Sequence, residues 1–246
     1  MSTGIIDSSA RICSANGALD PGELLRLMDE WSIARAVVAP SDEMVAVYNE
    51  EGNRRIAEIV RAHPNRLSGL AVANPWYGAN AAQMLEAALG GGLVGLYLHP
   101  GLQGFHLTDD IVNPLIQTCI AYEKPIYSHT GTPVCAMPFQ MAELARRHPD
   151  AVFIMGHAGW SDFCLYDVVP ACRQAPNIVV ETSCAFASAI GRFVQEIGVD
   201  RVIFGTGYPR SRHRFEVNKM RGLDLTEEVY RQVMGDNAAR LWGIGG

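Results

Sequence analysis

The sequence predicts an α/β protein, a single (β/α)8 TIM barrel over residues 1–246, and three observations predict it. Short apolar runs rich in Val and Ile alternate with amphipathic helical stretches from end to end, the mark of a parallel sheet built from βα units. The runs number eight. No linker, low-complexity tract or repeat interrupts them, which favours one closed barrel over an open doubly wound sheet, the alternative architecture.

The strands are expected at Gly4 to Asp7, Arg35 to Ala39, Leu67 to Ala73, Leu93 to Leu98, Pro125 to Ser128, Val152 to Gly156, Ile178 to Thr182 and Arg201 to Gly205. Between them lie patterns such as PGELLRLMDEW, NEEGNRRIAEIVRAH and FQMAELARRH, in which apolar residues recur at three and four and charges take the other face. Asp20 before Pro21 reads as an N-cap with proline at the first helical position. Asn80 or Gly78 opens the third helix.

Composition narrows the function classes. Hydrophobic residues at 48% and charged residues at 19%, with 24 Gly and 13 Pro, describe a globule with a large core and many turns. A net charge of -6 with Lys and Arg scattered leaves no basic stripe for a phosphate backbone, so nucleic acid is not an expected partner. No apolar run reaches the roughly 20 residues that span a bilayer, so no membrane association is expected. The N-terminus lacks a basic n-region and a long apolar stretch, and the six cysteines form no CxxC pair, which together read as a reduced, cytoplasmic protein.

In such barrels function gathers at the C-terminal ends of the strands. Those ends carry Asp7 to Arg11, Pro40-Ser41, Asn74-Pro75, His99-Pro100, His129-Thr130-Gly131, His157-Ala158-Gly159, Glu181-Thr182-Ser183 and Thr206 to Pro209. An imidazole projecting from the rim binds a metal or moves a proton near neutral pH. A lone histidine at a strand end is as often a polar cap on the core, and that is the reading for His99 taken alone. His129 and His157, on neighbouring strands and each followed by a glycine within two residues, read together as catalytic or metal-binding. Glu181 either orients His157, joins a metal shell, or stands as an ordinary rim charge. Cys184 has no base near it in sequence and reads as structural. Arg11, Arg210, Arg212 and His213 read as solvated loop charges unless the substrate is an anion. Trp76, Tyr77, Phe105, Phe139, Trp160, Phe163 and Phe186 fall largely in βα loops, where they either wall an apolar pocket or pack the loops on one another.

Several long segments occur in a telling order: NRRIAEIVRAHPNRLSG from Asn53, GLYLHP from Gly95, PIYSHTG from Pro125, IMGHAGW from Ile154, VIFGTGYP from Val202 and GDNAARLWGI from Gly235. Through them the chain resembles the amidohydrolase-related family of TIM-barrel metal-dependent hydrolases, which includes cyclic-lactone and amide hydrolases and non-oxidative decarboxylases. The resemblance implies an HxH pair on strand one, a histidine on strand five and an aspartate after strand eight as metal ligands. The strand-six histidine would serve as second ligand or acid/base. It implies one divalent metal such as zinc, held here by His129 and His157, no other cofactor, and a homo-oligomer. The IDxHxH pattern corresponds to Ile6 to Arg11, with Ser9 and Arg11 where two imidazoles would stand, and FGxDYP to Phe204 to Pro209, with Gly207 in place of the carboxylate. A catalytic divalent ion usually takes about three protein ligands, which serine, arginine and glycine do not supply. A guanidinium at position 11 repels a cation and attracts a carboxylate.

Two functions follow. One is an amidohydrolase-like hydrolase, or related decarboxylase, acting on a small carboxylated substrate. Its catalytic residues would be His157, His129 and Glu181, and its binding residues Arg11, His99 and Trp160, with or without metal. The other is a catalytically inert barrel that binds a small ligand or serves as a subunit partner.

Overall fold

Alternation of buried apolar residues along each strand, one set inward and one outward, is what lets eight strands close around one core and hold a helical layer outside. The computed structural model describes residues 4–12, 14–15, 18–160 and 164–244. Its barrel strands are β1 (Ile5–Arg11), β2 (Ile33–Ala39), β3 (Leu67–Val72), β4 (Gly95–Leu98), β5 (Ile126–His129), β6 (Phe153–Gly156), β7 (Ile178–Glu181) and β8 (Val202–Ile203). They pair in parallel in chain order. Closure comes from the segment after β8: Ser8 N donates to Phe204 O at 3.0 Å, Gly207 N to Ser9 O at 2.7 Å, and Arg11 N to Tyr208 O at 2.9 Å. An open doubly wound sheet would leave both outer strands as edges, so these bonds decide for the barrel.

Period two sorts the side chains. Ile6, Val37, Ala39, Leu70, Val72, Tyr97, Tyr127, Ile154 and Ile203 form an inner cluster. Ala36, Val38, Leu96, Leu98, Phe153, Met155 and Val180 face the other way and pack on Leu24, Met28, Ile56, Leu85 and Leu115 of the surrounding helices. Those helices are α1 (Gly22–Glu30), α2 (Asp42–Ala46), α3 (Asn49–Ala62), α4 (Ala79–Gly90), α5 (Pro100–Gln103), α6 (Asn113–Ala121), α7 (Pro138–Arg147), α8 (Leu165–Gln174), α9 (Ala187–Glu196), α10 (His213–Arg221), α11 (Glu227–Arg231) and α12 (Asn237–Trp242). Trp242 of α12 joins the inner cluster and donates from Nε1 to Ser8 Oγ at 3.2 Å.

All eight expected strands are present, with differences at their ends. The first runs four residues past Asp7, and its register against β2 shifts between Asp7 and Ala10, because the Asp7 carboxylate takes Ser9 N at 3.0 Å and pulls the chain out of the ladder. The last keeps only Val202–Ile203 in the ladder, since Phe204 N turns to Val233 O. Asp20 accepts from Gly22 N at 2.8 Å, so Pro21 sits at the cap and the helix starts one residue later than expected. Gly78 caps α4. The pairing of Ser14–Ala15 with Ala18–Leu19 carries no sequence signal. No disulfide joins the described cysteines, and no helix among the described residues is long and apolar enough to cross a membrane. Cys13 and Phe163 lie outside the described residues.

Candidate active site

Three strands deliver three imidazoles to one place. His99 follows β4, His129 ends β5 and His157 follows β6, all buried. The His99 and His129 rings stack with centroids 3.9 Å apart and 10° between planes, while His129 meets His157 edge to face at 4.8 Å. His157 and Ala158 adopt left-handed backbone (φ 61° and 47°), which turns the chain sharply after β6 and brings the His157 ring over the barrel mouth. The turn is tied to its neighbour: Thr130 Oγ1 donates to Gly156 O at 2.6 Å and accepts from Gly159 N at 3.1 Å. His99 also does the structural work expected of a lone rim histidine, its Nδ1 accepting from Leu102 N at 3.2 Å to cap α5.

Under this layer lie two fully buried carboxylates. Glu181 Oε2 accepts from Tyr127 OH (2.8 Å), Ser183 Oγ (2.8 Å) and His157 N (3.0 Å), and Oε1 accepts from Ser183 N (2.5 Å). Burial raises its pKa, and these donors oppose the rise. Ser183 Oγ also lies 2.6 Å from His157 Nδ1, whereas the direct distance from that nitrogen to Glu181 is 3.9 Å. Tyr127 OH lies 2.8 Å from Ser9 Oγ. Asp7 accepts from Thr206 N (2.8 Å) and Thr206 Oγ1 (2.6 Å), and burial pushes its pKa up to about 7.

The imidazoles are held neutral. Burial, reinforced by Arg210 and Arg11, pushes His157 down to about 3, and burial with Arg11 pushes His99 down to about 4. Burial and the two neighbouring imidazoles drive His129 lower still. Arg11 is half-buried and pairs with Asp42, so it is fixed rather than solvated. Arg210 is exposed and lies over the Trp160 ring, 4.1 Å from its centroid.

A narrow crevice of about 10 Å³, room for about one water, opens between β1 and the loop after β8, lined by Ser9, Arg11, Tyr97, Tyr127, His157 and Arg210 among others. A second, of about 90 Å³, lies on the far side of His157 against Trp160, Cys184 and Phe186. His157 lines both, so it shares one cavity with Arg11 and the other with Trp160. His99 and His129 line neither and stand behind it.

The donor set does not fit a catalytic divalent ion. Among the described residues no group of three or more His, Cys, Asp or Glu comes together to hold one. The oxygens of Glu181 are taken by four hydrogen bonds, and Ser9, Arg11 and Gly207 offer no carboxylate, imidazole or thiolate beside it.

Other expectations need correction. His213 is not a solvated loop charge: it is buried at the start of α10, with Nε2 4.0 Å from Asp7 Oδ2. Arg11 is likewise no free loop charge. Phe105 packs in the core between barrel and helices, and Trp76, Tyr77 and Phe139 line neither cavity. Burial and nearby carboxylates push the Cys184 thiol up to about 12, which fits a structural role. Tyr97, Tyr127 and Ser183 were not expected as site residues, although they share strand faces with residues that were. Tyr97 and Tyr127 lie two residues before His99 and His129, and Ser183 two after Glu181.

Comparison with known proteins adds a family. No curated protein sequence matches the chain. Among solved structures, a 5-carboxyvanillate decarboxylase from Sphingomonas paucimobilis superposes with a TM-score of 0.82 at 17% identity, covering 99% of this chain and 100% of that one. A 2,6-dihydroxybenzoate decarboxylase from Rhizobium gives 0.78 at 17% identity, over 99% and 100%. A 5-carboxyvanillate decarboxylase from Novosphingobium aromaticivorans, complexed with manganese and 4-hydroxy-3-methoxy-5-nitrobenzoic acid, gives 0.75 at 19% identity, over 92% and 81%. These likenesses show the fold. The family comes from the sequence itself, which matches the amidohydrolase family across residues 20–244, so this chain belongs to the amidohydrolase family.

Proposed function

We propose that the chain is an enzyme that removes the carboxylate from a small hydroxylated aromatic acid without a catalytic metal. The observation that carries this reading is the sharing of one crevice by Arg11, which the family resemblance aligns with a metal-binding imidazole, and His157, a neutral imidazole. Arg11 anchors the carboxylate, its guanidinium held by Asp42. Arg210 adds positive charge at the mouth, and the stacked Tyr97 and Tyr127 rings, 5.3 Å apart, offer a flat wall. His129 supports the His157 ring, His99 supports His129, and Trp160 flanks the approach.

The proton moves at His157. A neutral imidazole first takes the proton of a ring hydroxyl. The resulting imidazolium returns it to the ring carbon that bears the carboxylate. The C–C bond then breaks, its electron pair restores the ring as a phenolate, CO2 leaves, and the phenolate takes a proton from water. The decarboxylases of like fold act on acids of this class by name, which supports the substrate class. Hydrolysis has less support, because none of the described donor clusters suits a metal-bound hydroxide. A second reading, a barrel that binds a small ligand without converting it, is favoured by the lack of a metal-holding group among the described residues.

The test is CO2 release from a panel of hydroxybenzoates, with metal content measured on the same sample. Turnover is expected to survive chelation and to fall by about 100-fold or more in His157→Ala. Turnover that needs added manganese or zinc overturns the metal-free assignment. Calorimetric binding without CO2 release leaves the binding barrel.

A further inference from the structure

We infer that Ser183 is a positioning residue that decides which ring nitrogen of His157 carries the proton, leaving Nε2 as the acceptor. This rests on the reading of His157 as the group that moves the proton.

The argument is a count of hydrogens. Glu181 receives four donors, among them two backbone N–H groups that cannot be turned around. A carboxyl group met this way accepts only, which is the behaviour of the ionised form. The Ser183 hydroxyl has one hydrogen, and it goes to Glu181 Oε2 at 2.8 Å. Only lone pairs then remain on Ser183 Oγ for His157 Nδ1, 2.6 Å away, so Nδ1 must carry the hydrogen. Burial keeps the ring neutral, and a neutral ring with hydrogen on Nδ1 has its lone pair on Nε2. The carboxylate cannot do this directly, because 3.9 Å separates it from Nδ1. Tyr127 obeys the same rule: its hydrogen goes to Glu181, so it accepts from Ser9 Oγ. Both hydroxyl chains point to Glu181, one ending on His157 and the other on β1. Gly207 is part of the fit, since a Cβ there would lie 3.1 Å from Ser183 Oγ and 3.4 Å from His157 Cε1.

The experiment is 15N NMR of the imidazoles in the full chain at neutral pH, with the His157 signals assigned by their loss in His157→Gln. The wild type is expected to show a protonated, pyrrole-type Nδ1 and a pyridine-type Nε2. Ser183→Ala is expected to move the ring toward the opposite tautomer, and Ser183→Thr, which keeps the hydroxyl, to restore it. A wild-type ring protonated on Nε2, or a Ser183→Ala ring with unchanged tautomer, overturns the inference. If Ser183→Ala does not fold, the wild-type spectrum still decides. In a turning-over enzyme Ser183→Ala should lower kcat by about 10–100-fold with KM little changed. The NMR result needs no turnover: the expected tautomer without CO2 release counts against the proposed reaction alone, and a reversed tautomer in an active enzyme counts against Ser183 alone.

Discussion

Tyr127 concentrates the residue-scale physics of the site. Its hydroxyl is fully buried, donates to Glu181 and accepts from Ser9, and its ring stacks on Tyr97. Tyr127→Phe keeps the ring, leaves the buried Ser9 hydroxyl without its partner and takes one donor from Glu181. The expected cost is about 1–3 kcal/mol, read from urea denaturation. A stability equal to wild type would mean that water replaces the hydroxyl. Histidines and carboxylates at strand ends stand out in a sequence, because strand ends are where barrel sites form. Tyr127 and Ser183 do not stand out, because a tyrosine in a strand looks like core and a serine after one looks like a loop. Only the hydrogen bonds across 54 residues to Glu181 and across 26 residues to His157 reveal what they do.

At the scale of elements, the site depends on how closely the loops after β5 and β6 approach. Gly131 has φ 86°, and a Cβ there would fall on the Gly159 carbonyl. Gly131→Ala must push the β6 loop away and carry His157 with it. A loss of more than about 2 kcal/mol is expected in denaturation, with the His157 NMR signals displaced; native stability and unmoved signals would show that the loops have room to spare. Element existence was readable from period two and from amphipathic helices, since both come from local burial. The ends were less so. β1 runs on to Arg11 with a register break after Asp7, whose carboxylate bonds both Ser9 N beside it and Thr206, 199 residues away.

For the whole molecule, buried titrating groups set the response to acid. His99, His157 and His213 are held at about 4, 3 and 4 against an ordinary 6.5, and His129 is also lowered, all chiefly by burial. Below pH 6.5 the unfolded chain binds protons at these four sites that the native barrel refuses, so their contribution is present above 6.5 and is lost as pH falls. Asp7, raised to about 7, and Glu181, also raised, act in the opposite sense, retaining protons that the unfolded chain releases above its ordinary carboxylate range. Four groups outweigh two, so the urea midpoint is expected to drop between pH 6.5 and 5; a flat or rising midpoint would show that the carboxylates dominate.

By itself the sequence determined the barrel, its eight strands and the rim position of His129, His157 and Glu181. Each of these is written in local periodicity or in residues a few places apart. Tertiary structure decided that Arg11 and His157 share a cavity, that His99 and His129 stand behind it, that His213 is buried beside Asp7, and that Ser183 links Glu181 to His157. These follow from which strand ends meet when the barrel closes, and closure is made by hydrogen bonds between the two ends of the chain, which no local pattern contains.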